Sequence, residues 1–331
     1  MLNVALLGFG RIGQMHAENI NNHNKLNLLY ICEKDSKLAK KAKLKFKCKV
    51  VKNYKTLFED NMVDIIFISS STPTHINFIK LGVRNNKTVF CEKPLDLNLD
   101  KIKDAYKIIK KRKYKIQMGF NRRFDPGHHS IKLSLKNNKI GSLEKIIITS
   151  RDPSPPPLAY LKISGGIFKD MMIHDFDLCR YYLDKDQINE ISSFATRFKN
   201  MYKKINDYEL ATVTMKSKKG VLCIINNSRH CSFGYDQRVE LFGSKGMLIS
   251  NNKKVTEAEF YNSKNTNSKN LFLNFFIERY NEAYKIQLDE LVKLAEKNII
   301  SRSSFSDGYE ALKLAEAAYK SLKQKKTVFI K

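Results

Sequence analysis

An aspartate and a histidine four residues apart are the most chemically suggestive pair in this sequence. Asp170 and His174 lie in residues 165–180, where two glycines are followed by an uninterrupted helical pattern. Residues four apart lie one above the other on a helix, so Asp170 and His174 are expected to share a face, with Asp177 close to it. A carboxylate beside an imidazole gives an oriented base that titrates near neutral pH. Taken alone, such a pair is more often structural, because structural pairs perturb titration too.

A lysine in the first half of the chain is the second chemical group of interest. Lys93 comes two residues after the apolar run 88–91, and Pro94 fixes the backbone just after it. In an open parallel sheet, ligands bind outside the carboxyl ends of the strands, which places Lys93 at the edge of a site. A lysine at such a position is also commonly no more than solvent-facing.

The N-terminus carries a glycine pattern in the context that gives it meaning. The motif reads Gly8-Phe9-Gly10-Arg11-Ile12-Gly13, after an apolar strand pattern and before a helical one. Gly8 would allow the tight turn, Gly10 the approach of a pyrophosphate, and Gly13 close packing of helix on strand. Glu33 follows the next strand, where an acid binds ribose hydroxyls and repels a 2′-phosphate. The pattern therefore predicts NAD rather than NADP, although the neighbouring Lys34 leaves NADP open.

Two kinds of element order divide the chain. Residues 1–120 alternate strand and helix patterns, which predicts an α/β Rossmann domain with a doubly wound parallel sheet. Residues 121–331 carry several strand patterns without helices between them, which predicts an α+β domain with an open, mainly antiparallel sheet. The proline-rich stretch 152–157 between the first two of these strands is either a stiff rim of the active site or a spacer. The first domain would bind a dinucleotide at its glycine motif.

Bulk composition limits the classes of partner. The net charge of +27 favours nucleic acid or an anionic membrane, but the lysines are scattered over predicted helical faces. The sequence has no zinc-finger spacing and no RNA-binding aromatic motif, so we expect no specific nucleic-acid partner. The six cysteines have no paired spacing, and we find neither a signal peptide nor an apolar run long enough to span a membrane. These features predict a cytoplasmic protein, and the histidine spacing predicts no metal site.

Several motifs together resemble one enzyme family. They are the glycine motif with His16, the turn Ser71-Thr72-Pro73-Thr74-His75, the run Cys91-Glu92-Lys93-Pro94-Leu95, residues 119–125, residues 150–153, residues 165–180 and residues 235–240. The chain resembles the glucose–fructose oxidoreductase and inositol dehydrogenase family over nearly its whole length. The Arg-Arg-Phe-Asp run within residues 119–125 and the Ser-Arg-Asp-Pro run at 150–153 are similar to those of the inositol dehydrogenases of that family.

The resemblance implies roles for individual residues. Lys93, Asp170 and His174 would form the catalytic set and also contact the substrate. The cofactor would be held by the glycine motif and Glu33, together with Ser71, Thr72, Pro73, His75, Glu92 and Lys93. Asn121, Arg123, Asp177 and Tyr235 would complete the substrate pocket. The family's second domain often mediates tetramers, so a homo-oligomer, with a tetramer favoured, is expected.

The implied activity is NAD-dependent oxidation of a cyclitol alcohol, in the first place myo-inositol to 2-keto-myo-inositol. His174 would be the base, Lys93 would stabilise the alkoxide, and Asp170 would orient the imidazole or bind an adjacent hydroxyl. The ammonium and the imidazole would then act together at one bound nicotinamide. Alternatives are a dehydrogenase of another inositol isomer, sugar or polyol, a non-catalytic dinucleotide-sensing regulator, and a hydrolase that uses NAD transiently.

Overall fold

The chain divides into two compact units, which are described one at a time. The computed structural model describes residues 1–109, 114–297 and 299–330. The first unit comprises Met1–Asn121 and Ala283–Glu310, and the second comprises Arg122–Glu282 and Ala311–Lys331. Within the described ranges, no helix is both long and apolar enough to cross a membrane.

The first unit is built on a parallel six-stranded sheet. Its strands are β1 (Leu2–Leu7), β2 (Leu26–Cys32), β3 (Lys49–Val51), β4 (Ile65–Ile68), β5 (Thr88–Cys91) and β6 (Ile116–Met118). They are ordered β3-β2-β1-β4-β5-β6, so the strand order reverses beside β1, as in a doubly wound fold. β4 and β5 are buried at every residue, as expected of strands covered on both faces.

Helices alternate with these strands along the chain. They are α1 (Arg11–Asn21), α2 (Ser36–Lys45), α3 (Lys55–Glu59), α4 (His75–Arg84) and α5 (Leu99–Ile109). Asp35 ends the loop before α2, and its carboxylate accepts the N–H groups of Lys37 and Leu38 as an N-cap. The carboxyl ends of β1, β2, β4 and β5 lie at the same edge of this parallel sheet. The helices that follow β1, β2 and β4 begin at that edge, after short turns.

The second unit contains a mixed, mostly antiparallel sheet. Its strands are β7 (Leu143–Arg151), β8 (Ile188–Thr196), β9 (Leu210–Ser217), β10 (Leu222–Ser228), β11 (Asp236–Gly243), β12 (Gly246–Ser250) and β15 (Val328–Phe329). The order is β12-β11-β7-β10-β9-β8-β15, and only the β7–β10 pair is parallel. A small separate ribbon is formed by β13 (Glu259–Phe260) and β14 (Ser268–Lys269). The predicted fold class is therefore confirmed in both halves.

The remaining helices flank this sheet or lead out of it. They are α6 (Pro126–Lys136), α7 (Leu158–Leu161), α8 (Gly166–Asp170), α9 (Ile173–Leu183), α10 (Asn200–Lys204), α11 (Phe276–Arg279), α12 (Asn281–Glu296) and α13 (Phe305–Gln324). α9 packs against β7 and α6 and is buried through most of its length. The proline-rich stretch 152–157 has no regular structure, and α7 follows it directly.

Most of α12 belongs to the first unit, although the sequence predicts that it is part of the second domain. The sequence places all residues after 120 in the second domain, whereas Ala283–Glu310 belong to the first unit. Leu288, Leu291 and Val292 of α12 join the buried cluster that includes Val4 and Leu28 of the parallel sheet. This burial removes apolar surface from water, and it has no signature in the local sequence.

Candidate active site

The three glycines of the first turn have three different surroundings. Gly8 has a φ of +95°, and a Cβ there would lie 2.6 Å from the Cα of Ser70. A Cβ on Gly13 would lie 2.2 Å from the main-chain oxygen of Gly8. A Cβ on Gly10, the N-cap of α1, would meet nothing within 4 Å. Protein packing thus explains Gly8 and Gly13, while Gly10 leaves open space at a helix N-terminus, as a pyrophosphate requires.

The other residues of the glycine motif divide by burial. The Phe9 ring is fully buried in the core of the first unit, so only its main chain faces the turn. Ile12 is half-buried, and Arg11 is exposed at the first position of α1. We therefore expect Phe9 to contribute a framework rather than a direct side-chain contact to a cofactor.

Glu33 is fixed in place directly after β2. Its Oε2 accepts the Phe9 N–H at 2.7 Å, and its Oε1 accepts the Asp35 N–H at 2.9 Å. An ionised carboxylate has about four acceptor positions, so acceptors remain for ribose hydroxyls. The carboxylate is thereby tied to the glycine turn itself. This arrangement fits a ribose-binding acid.

The turn after β4 contains four of the residues assigned to the cofactor. Ser71 and Pro73 are exposed, and Thr72 is half-buried in a short 3₁₀ turn before α4. His75 differs, because it is 1% exposed and its ring nitrogens face the oxygens of Pro94 at 2.7 Å and Ser70 at 3.0 Å. Burial lowers the pKa of this imidazole. These contacts favour a structural role for His75, between the loops of Ser70 and Pro94, over a direct contact with the cofactor.

Glu92 and Lys93 follow β5, and the buried His16 contacts the Glu92 carboxylate. His16 of α1 approaches Glu92, with its Nε2 2.7 Å from Oε1, and Glu92 Oε2 accepts the Lys93 N–H at 3.2 Å. The buried Nδ1 of His16 has no hydrogen-bond partner, so the ring proton belongs on Nε2. His16 therefore donates to Glu92 and links the helix of the glycine turn to the backbone of Lys93. The side chain of Lys93 is half-buried.

In the second unit, the predicted uninterrupted helix is wrong. Gly165 and Gly166 have φ values of +86° and +81°, and α8 ends at Asp170. The N–H groups of Met171 and Met172 both donate to the oxygen of Ile167, which closes α8 and lets α9 begin at Ile173. Asp170 and His174 therefore lie on two consecutive helices, and the face-sharing geometry of a single helix does not apply to them.

Asp170 is buried among partners that come from elsewhere in the second unit. Tyr160 Oη donates to its Oδ1 at 2.7 Å, and Arg229 Nη1 donates to its Oδ2 at 3.3 Å. Arg229 itself is fully buried. His174, in the first turn of α9, is half-buried and so remains accessible to a ligand.

Two consecutive arginines after β6 bind two carboxylates of α9. Arg122 bonds to Asp175, which also accepts from Ser150 at 2.6 Å. Arg123 makes a two-point contact with Asp177, Nε to Oδ2 and Nη2 to Oδ1, both at 2.7 Å. All four charged side chains are buried. We call these two ion pairs the arginine clamp. It holds α9 at two residues that closely follow His174 in that helix.

The arginine clamp changes the interpretation of two residues assigned to the substrate. Arg123 and Asp177 satisfy each other and are buried, which favours a structural role over contact with a polyol. Asn121 begins the 3₁₀ turn Asn121–Phe124, which contains both arginines, and it is 3% exposed. The Tyr235 ring is 5% exposed and stands edge-on to Tyr280, and burial raises the pKa of its hydroxyl.

Comparison with known protein families identifies both parts of the chain. Residues 2–120 match the family described as "Oxidoreductase family, NAD-binding Rossmann fold", and residues 128–249 match the "GFO/IDH/MocA C-terminal domain". The chain belongs to the GFO/IDH/MocA oxidoreductase family. The match includes the glycine turn, Glu33 and Lys93 in its first part, and Asp170, His174 and Arg229 in its second.

Similar members of the GFO/IDH/MocA family span the whole chain. "Inositol 2-dehydrogenase" of Rhizobium meliloti is 34% identical over 98% of this chain and 98% of that protein. "Myo-inositol 2-dehydrogenase" of Thermotoga maritima is 37% identical over 99% of this chain and 98% of that protein. The crystal structure of a myo-inositol dehydrogenase from Corynebacterium glutamicum has a TM-score of 0.95 and 38% identity, and the match covers 100% of this chain and 99% of that one.

Three residues around Asp170 in the second unit were not identified from the sequence. Arg229 and Tyr160 contact Asp170, and Asp207 contacts Arg229. They lie 10 to 59 residues from their partners in the chain, so no local pattern connects them. Among the residues with described positions, no group of three His, Cys, Asp or Glu side chains could hold a metal ion.

Proposed function

We propose that this chain is an NAD-dependent dehydrogenase that oxidises a secondary alcohol of myo-inositol to give 2-keto-myo-inositol. The observation that carries the cofactor assignment is the open space at Gly10, between two glycines that protein packing does explain. The substrate assignment is supported by the names of relatives that are 34% to 38% identical over the whole chain.

The cofactor would be held by residues of the first unit. The N–H groups at the start of α1 would bind the pyrophosphate, and the Glu33 carboxylate would accept from the ribose hydroxyls. When bound, NAD supplies the acceptor for the hydride of the carbinol carbon. Ser71, Thr72 and Pro73 lie after β4, at the same strand ends, and would line the cofactor.

Three side chains would share the proton chemistry. His174 would accept the proton that the substrate hydroxyl loses as its carbon is oxidised. The Lys93 ammonium would stabilise the negative charge that develops on that oxygen. The Asp170 side chain would accept a hydrogen bond from a neighbouring hydroxyl of the ring. Asn121 and Tyr235 are further candidates for contacts with the polyol.

The direct test is the formation of NADH from purified protein. We expect steady growth of NADH absorbance with myo-inositol and NAD, and a lower kcat/KM with NADP because Glu33 repels a 2′-phosphate. A panel of scyllo-inositol, chiro-inositol and glucose would compare the other polyols, since pocket shape sets that preference. Absence of NADH with every polyol would refute the proposal and leave a dinucleotide-sensing regulator or a hydrolase.

The second unit also supports a proposal about assembly. Four strands of its sheet, β8, β10, β11 and β12, expose large apolar side chains on one face, namely Phe194, Leu222, Phe242, Met247 and Ile249. An exposed apolar face of this kind is typical of an interface. We infer that this face pairs with further copies of the chain, with a tetramer favoured, in the cytoplasm. Light scattering on the purified protein should give a multiple of the 38.4 kDa chain mass, and a monomer would contradict the inference.

A further inference from the structure

A fully buried arginine stands between two buried carboxylates of the second unit. Arg229 follows β10 directly and is 0% exposed. Its Nη1 donates to Asp170 Oδ2 and its Nη2 to Asp207 Oδ2, both at 3.3 Å. The exposures of the two carboxylate side chains are only 9% and 6%. A buried charge is costly unless it is paired, so each member of this group depends on the others.

The same group fixes both ends of α8. Asp207 Oδ1 accepts the Ile167 N–H at 2.9 Å, at the start of the helix. A Cβ on Gly166 would lie 2.9 Å from that same oxygen, so the close approach of Asp207 needs a glycine there. Arg229 binds Asp170, at the last position of the helix. One guanidinium therefore connects the carboxylate that anchors the start of α8 to the carboxylate at its end.

The charges around Asp170 make Arg229 the cation of the group. Asp170 faces Tyr160, which donates a neutral hydrogen bond, and it lies four residues before His174. Arg229 also experiences the charge of Asp152 and lies near Tyr202, whose pKa burial raises to about 12. Arg229 is therefore a counter-charge that Asp170, Asp207 and Asp152 share.

We propose that Arg229 is a positioning residue that keeps Asp170 ionised and in place at the end of α8, four residues before the base His174. The inference rests on the proposed catalytic role of Asp170. Loss of a buried cation favours the protonated forms of both a nearby carboxylate and a nearby imidazole. Removing Arg229 therefore disfavours the active protonation state in two ways, and both act in the same direction on the pH profile.

The test compares pH profiles of kcat and of kcat/KM for myo-inositol oxidation. Arg229→Met should move the acid limb of kcat/KM up by about one pH unit, which is a loss of about tenfold on that limb. Arg229→Lys keeps the charge and should restore most of the profile, although it cannot bridge both carboxylates. Asp207→Asn keeps the acceptor for Ile167 and removes a negative charge, so its limb should move to lower pH.

Two further variants separate this inference from its premise. Arg279→Met removes another buried arginine of the same unit, one that pairs with Asp125, and should lower thermal stability without moving the limb. A limb that stays in place in Arg229→Met, with kcat/KM lowered equally at every pH, would assign Arg229 to fold stability alone. If Arg229→Met does not fold, an unmoved limb in Asp207→Asn overturns the inference. Asp170→Asn with normal kcat would instead remove the role of Asp170 itself.

Discussion

Replacing His174 by alanine is expected to lower kcat for myo-inositol oxidation by about 10²–10⁴-fold, the usual effect of removing a general base. His174 is half-buried in the first turn of α9, and the arginine clamp holds the carboxylates of Asp175 and Asp177, one and three residues further along the same helix. The two ion pairs therefore fix the helix that carries the imidazole. The measurement is steady-state NADH formation at saturating substrate.

The pH dependence adds a second readout for His174. The acid limb of kcat should be lost in His174→Ala, because its residual activity no longer depends on a neutral imidazole. His129→Ala is a matched control, since His129 is a half-buried histidine of the same unit that contacts Tyr181. It should keep both turnover and the limb. Turnover near that of the unmodified enzyme in His174→Ala would take the role of base away from this residue.

Replacing Asp177 by alanine is expected to destabilise the second unit by about 3–5 kcal/mol, because it leaves the buried guanidinium of Arg123 without its partner. The two side chains are 6% and 1% exposed and share two hydrogen bonds of 2.7 Å. Chemical denaturation followed by circular dichroism would measure the change. The double variant Arg123→Met with Asp177→Leu removes both charges and should recover much of the loss.

The same variants distinguish a structural role from contact with the substrate. Asp100→Ala breaks the exposed ion pair with Lys103 and should leave the unfolding midpoint unchanged. Near-normal stability of Asp177→Ala, together with a raised KM for myo-inositol, would contradict the clamp and return Asp177 to the substrate pocket. A place for Asp177 in the substrate pocket is what the family resemblance alone implies.

Local sequence determined much of the framework, because strand burial, turns and caps depend on neighbouring residues. The apolar run 88–91 forms β5, so Lys93 follows a buried strand as the sequence predicts. The roles of Gly8 and Gly13 also follow from the motif, since the close approaches there leave no room for a side chain. The alternation of strands and helices was sufficient to predict a doubly wound sheet.

The break between α8 and α9 was decided by tertiary structure. The helical pattern of residues 165–180 gives no sign of an interruption. In the structure, α8 nevertheless ends at Asp170, which binds Arg229, while Asp207 binds the start of the same helix. The paired arginine clamp is likewise invisible in sequence, since 54 residues separate Arg123 from Asp177. Sequence therefore identified which residue types carry the chemistry, whereas the fold chose their partners. Ion pairs and helix docking join segments that are distant along the chain, and such contacts leave no periodicity to detect.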